Sequence, residues 1–181
     1  MNNLNTLIEQ VESKKKFDYL YFWGHKSEGR LIGKSCLSQW FIAPFSIDGI
    51  TYPSAEHYMM ASKARLFSDE KILSEILQSK TPGAAKALGR QVKNYNESVW
   101  EEHRYGIVVA ANFAKFSQHT ELGEFLIRTG NKVIVEASPV DRIWGIGLAQ
   151  DDAEAANPRL WRGLNLLGFA LMDVRAQLSK G

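Results

Sequence analysis

The chain has 181 residues, 45% hydrophobic and 23% charged, and its 22 basic and 20 acidic side chains leave a formal net charge of +2. That length supports one domain with a substantial core, and the composition is ordinary for a soluble globular protein. The balanced charge gives no argument for a nucleic-acid scaffold, no apolar run reaches membrane-spanning length, and the N-terminus lacks the pattern of a secretory signal.

Residues 4–16 predict a short amphipathic helix ending in Lys14-Lys15-Lys16. Phe17 to Trp23 is rich in aromatics and reads as a strand. Residues 24–35, with Gly24, Gly29 and Gly33 among charges, read as a loop. Cys36 is the single cysteine. It reads as an apolar filler in a reduced, cytoplasmic setting, and no Cys/His cluster has zinc spacing, so no metal is expected. Two short strands are expected at 37–42 and 45–52, turning near Asp48-Gly49.

From Ser54 the pattern is mostly helical. Ser54 is a good N-cap after Pro53. Thr81-Pro82 opens a helix to about Gln91, and Asn96 caps a long one from Glu97 to about Gln118. Thr120 caps the next, which Gly130 ends. Lys132 to Ala137 is a β-branched run and a predicted strand, and Pro158 opens a final helix reaching almost to the C-terminus. The whole predicts a mainly α fold with a small β element, of the α+β class. Residues 1–16 form an N-terminal helical extension and 17–181 one compact domain.

Four places carry polar residues that could do chemistry. Glu56 falls in the first turn of its helix, where the positive end of the dipole favours a carboxylate. Lys63 lies two turns on along the same face, about 10 Å away. The pair reads either as a dipole-friendly acid and a solvated base or as two sides of a pocket. Asn112 and Lys115 interrupt a stretch, 107–116, that is otherwise apolar almost all round. A lysine so placed snorkels or pairs with an acid. In the last helix Asn165 falls in or near the core, where its amide ties down a neighbouring loop or faces a ligand. Between them, Val135 to Gly147 runs from a strand end through Ser138-Pro139 to Asp141, Arg142, Trp144, Gly145 and Gly147. Loops at strand ends commonly hold site residues, glycines admit close backbone approach, and a tryptophan there can stack on a heteroaromatic base. The same segment also reads as an Asp-Arg turn with a core tryptophan. No dinucleotide fingerprint, Walker loop or serine elbow is present.

Taken together, Glu56-His57-Tyr58 with Lys63-Ala64, Ala85 to Arg90, Lys115 to Gln118, Glu136 to Pro139 with Asp141 and Trp144-Gly145, and Asn165 to Gly168 with Leu171-Met172 and Arg175 resemble the NADAR, or YbiA-like, family. The resemblance runs from about Tyr21 to Leu178, with the motifs in the family's order. One departure is visible: many members have Ser-Asn-Phe-Tyr where this chain has Ser38-Gln39-Trp40-Phe41.

The resemblance implies an N-glycosidase without cofactor. Characterised relatives cleave N-ribosyl bonds of phosphorylated riboflavin-pathway intermediates, giving ribose 5-phosphate, and others remove ADP-ribose from guanine bases. A non-catalytic module binding ADP-ribose or NAD derivatives is the further alternative. The partner is thus a small phosphorylated riboside or an ADP-ribosylated base, with nucleic acid only as a modified substrate. The family's catalytic glutamate matches Glu56. Lys63 and Asp141 carry over as catalytic candidates and Trp144 as a substrate contact. Lys86 and Arg90 are candidates for phosphate, since cationic side chains bind it, and Gly145 and Asn165 for substrate.

Overall fold

The computed structural model describes residues 3–24 and 32–180. Most of the predicted loop at 24–35 lies outside them. The described chain is mainly helical with two small sheets, the expected α+β class. It divides into two units, residues 1–38 with 121–181, and residues 39–120. Among the described residues no helix is long and apolar enough to cross a membrane.

The first unit opens with α1 (Leu4–Glu12), whose N-terminus is closed by the Asn3 side chain accepting the Thr6 N–H at 2.9 Å. Strand β1 (Tyr19–Phe22) pairs in parallel with a strand far along the chain, β4 (Val133–Glu136), with Tyr19 opposite Val133 and Phe22 opposite Glu136. The run Val133-Ile134-Val135 is fully buried, as expected of a parallel strand covered on both faces. Helix α6 (Thr120–Arg128) precedes β4, and α7 (Leu166–Leu178) packs on it. Gly168 is where α7 and β4 meet: a Cβ there would strike the Ile134 carbonyl and the Asn165 amide. Only glycine allows that approach.

The second unit begins with irregular chain and then a hairpin, β2 (Phe45–Ile47) and β3 (Ile50–Tyr52). Asp48 and Gly49 both have positive φ, 50° and 77°, the primed turn that matches strand twist. Next come α2 (Ala55–Leu66), α3 (Glu70–Gln78), α4 (Pro82–Gly89) and α5 (Glu97–Gln118). Asp69, Thr81 and Asn96 cap the last three through side-chain oxygens. Helix α2 is the hub, packed against α3, α4 and α5, and it buries residues on most of its circumference.

Two expectations are corrected. Residues 37–42 form no strand. A 3₁₀ turn at Lys34–Leu37 leads into irregular chain whose carbonyls serve another element: Gln39 O accepts the Glu56 N–H at 3.0 Å. That N–H is one of the orphan donors at the start of α2, and satisfying it outweighs strand pairing. The last helix starts at Leu166, not Pro158. Pro158 opens only a 3₁₀ turn to Leu160, after which Trp161 is fixed by its indole N–H donating to Ala155 O at 2.8 Å.

Candidate active site

The start of α2 is held from two sides. Ser54 Oγ accepts the His57 N–H at 3.4 Å, and the Gln39 carbonyl takes that of Glu56. Glu56 is only 3% exposed, in the first turn, where the positive end of the helix favours its negative charge. Next to it, His57 is 1% exposed, with Nδ1 2.7 Å from Ser54 Oγ and Nε2 3.2 Å from Ser79 O. A carbonyl can only accept, so Nε2 carries the proton and Nδ1 accepts from the serine hydroxyl. Burial pushes the His57 pKa down, partly offset by the Ser79 bond. His57 is therefore a neutral brace between Ser54 and the chain after α3.

Lys63 lies two turns further along α2. Its Nζ is 4.3 Å from the ring centre of Tyr95 and 5.7 Å from that of Trp100. Burial pushes the amine below its ordinary range, and the Glu97 carboxylate acts in the opposite sense. A partly desolvated lysine has the neutral form within easier reach, as a nucleophilic amine requires. The cause is burial against aromatics rather than neighbouring cations.

Lys86 and Arg90 lie four residues apart at the end of α4, which packs on α2. Lys86 Nζ is 5.7 Å from the Trp40 ring centre, while Arg90 is exposed. Trp40 also covers Gly83, where a Cβ would sit 3.5 Å from the ring. The tryptophan of the Gln39-Trp40 departure thus braces α4. Gln39 turns inward, its Oε1 accepting from Asn112 Nδ2 at 2.7 Å. Asn112 also donates to Val108 O at 2.9 Å, and its Oδ1 is buried without a hydrogen-bond partner. One turn on, Lys115 is fully buried, its Nζ 4.7 Å from the Phe116 ring centre, so it does not snorkel. Asn112 and Lys115 stood out in sequence as interruptions of an apolar stretch. The structure buries both completely and sets Asn112 against Gln39, whose carbonyl ties Glu56.

In the first unit, Asp141, Trp144, Gly145 and Asn165 form one interlocked cluster. Asp141 Oδ1 accepts the N–H groups of Ile143 and Trp144, both at 2.8 Å, closing an Asx-type turn. Trp144 is partly exposed, and its carbonyl accepts the Leu167 N–H at 3.1 Å. A Cβ on Gly145 would come within 2.8 Å of Glu136 O, so its missing side chain serves the approach of protein backbone. Gly145 O also accepts the Asn165 N–H at 3.1 Å. Asn165 is fully buried, donates to Ile134 O at 2.9 Å and accepts the Glu136 N–H at 3.0 Å. Its amide therefore ties the start of α7 to β4.

A family model for the NADAR domain matches residues 21–179. The N-glycosidase R617 of Acanthamoeba polyphaga mimivirus is 42% identical over 164 residues, covering 88% of this chain and 95% of that protein. The N-glycosidase YbiA of Escherichia coli K12 is 35% identical over 136 residues, covering 75% and 76%. The NMR structure of E. coli YbiA superposes with a TM-score of 0.73 at 29% identity, covering 92% of this chain and 88% of that one. With its match to the family model and its likeness to N-glycosidases in sequence and to YbiA in fold, this chain belongs to the NADAR family and is an N-glycosidase.

Proposed function

We propose that the chain hydrolyses the N-ribosyl bond of phosphorylated ribosylaminopyrimidines, releasing ribose 5-phosphate and the free amine. The observation that carries the reading is the buried Glu56 at the first turn of α2, held by Gln39 and Ser54. A buried carboxylate on a helix start whose backbone is so fixed is suited to move a proton between the leaving nitrogen and water.

Two routes to cleavage need this group. In one, C1′ gains oxocarbenium character beside a carboxylate and water attacks. In the other, the ribose opens to an imine, the Lys63 amine adds to C1′, and the aminopyrimidine leaves as the protonated amine. Water then adds to the lysine imine and releases the aldehyde sugar, so that one water is consumed overall. The lowered Lys63 pKa supports the second route. The reading assigns phosphate binding to Lys86 and Arg90, base stacking to Trp144, and orientation of the loop bearing Trp144 to Asp141. Substrate contact through Gly145 and Asn165 is indirect in this reading: both shape that loop.

The test is to incubate the protein with a ribosylaminopyrimidine phosphate and, separately, with ADP-ribosylated guanine, measuring free sugar phosphate from each. Release from the first alone is the expected result. Release from the second alone replaces the substrate with an ADP-ribosylated base.

A further inference from the structure

A cleft of about 1170 Å³ opens in the first unit, between the segment after α1, the turn joining α6 to β4, and the last turns of α7. Glu56, Lys63, Asp141 and Trp144 do not line it. Its walls carry Lys15, Lys16, Arg128, Lys132 and Arg175, against the carboxylates of Asp18 and Asp173. A whole-chain charge of +2 hides this concentration.

The cations differ in how they are held. Arg175 is half-buried and fixed, donating to Thr129 Oγ1 at 2.7 Å and Lys132 O at 3.0 Å. Arg128 meets Glu124 at 3.5 Å in an exposed pair worth little. Lys15, Lys16 and Lys132 stand exposed at the rim. Lys15 Nζ also lies 5.2 Å from the ring centre of Phe17, a partly exposed aromatic in the wall.

We propose that this cleft binds a strand of nucleic acid by its phosphates, independently of the N-glycosidase chemistry. The cations come from three separate chain segments, so they offer charge at several points along a concavity rather than at one focus. That distribution suits a ligand with repeated charges. Exposed lysines at the rim contribute point charge, which suits contact with a phosphate backbone, and Lys15 is lightly held by Gln10 Oε1 at 3.3 Å. Phe17 and the exposed Ile127 give apolar surface for a base face. A flat bilayer cannot enter a concavity, which sets anionic membranes aside.

The experiment measures fluorescence anisotropy of a labelled oligodeoxythymidine with the full chain as salt is raised. Binding is expected at low salt. The variant K15E/K16E/K132E is expected to weaken it at least about tenfold and to flatten the log K against log salt slope by about 2, at roughly 0.7 per lost phosphate contact. Melting temperature and release of sugar phosphate from the small riboside stay at wild-type values. Should the triple variant fail to fold, K15Q/K16Q is expected to weaken binding with folding intact. No binding by wild type, or equal binding by folded variants, overturns the proposal. So does tight binding of inorganic tripolyphosphate without the oligonucleotide, or capture by phosphatidylserine vesicles in its place.

Discussion

Replacing Asn165 by alanine separates the two roles that its sequence position allows. Its amide makes two hydrogen bonds to β4, and removing it strands the buried Ile134 carbonyl and the Glu136 N–H. Each orphaned group costs about 1–3 kcal/mol. The backbone here is left-handed, with φ 54°, a conformation asparagine tolerates and alanine does not, at about 1 kcal/mol. Asn165→Ala is therefore expected to lose about 3–7 kcal/mol, a large share of the 5–15 kcal/mol typical of a domain. Asn165→Gly removes the backbone strain and should recover about 1 kcal/mol of that loss. Equilibrium unfolding in guanidinium chloride measures both. If Asn165→Ala unfolds within about 1 kcal/mol of wild type while KM rises sharply, the tether is not the main role and a substrate contact takes its place.

Four further outcomes follow from the site. Glu56→Gln should lower kcat by about 100-fold or more with folding retained, as loss of a general acid–base does, and near-normal turnover would remove Glu56 from the chemistry. Lys63→Arg keeps the charge but cannot form an imine. It should bind product yet lose turnover, and borohydride should trap a sugar adduct on wild type alone; substantial activity in this variant favours the oxocarbenium route. Trp144→Ala should raise KM more than tenfold, since base stacking contributes about 1–3 kcal/mol, and an unchanged KM would dismiss stacking. Finally, burial holds the folded His57 pKa below the ordinary histidine value of 6.5. Its contribution to stability is present above about pH 6.5 and is lost as pH falls through the lower folded value, so unfolding midpoints should drop on acidification, and His57→Gln should remove that part of the slope.

Much of the fold was legible because local signals and tertiary demands agree. Asn96 caps α5, Thr81-Pro82 opens α4, Asp48-Gly49 makes the hairpin turn, and the Val133 to Val135 run is a buried strand. The misreadings fall where backbone groups serve a distant partner. Residues 37–42 have strand-like content, yet Gln39 spends its carbonyl on the Glu56 N–H. Pro158 looks like a helix opener, yet Trp161 is drawn to Ala155 and the chain turns left-handed at Asn165 before α7 begins. In the candidate site, the Ser54 cap and the first-turn place of Glu56 were visible in order and spacing. The desolvation of Lys63 by Tyr95 and Trp100 was not, because those aromatics come from 32 and 37 residues on and nothing local ties them to it. Full burial of Lys115 was equally hidden, since an amphipathic lysine in an apolar run can as easily reach solvent.

The parallel pairing of β1 with β4 bears on the order in which this protein can be made. Tyr19 leaves the ribosome long before Val133, its partner across the ladder. All of residues 39–120 emerge in between, and they carry their own hairpin and four helices. The second unit is a continuous stretch whose partners are at hand as it is synthesised, whereas β1 waits with its edge open until β4 arrives. Closing that gap is a long-range event with a high loop-entropy cost, and exposed strand edges are where nascent chains aggregate. The first unit is the later and more vulnerable half of the fold, and a chain cut short before Val133 leaves β1 without its parallel neighbour.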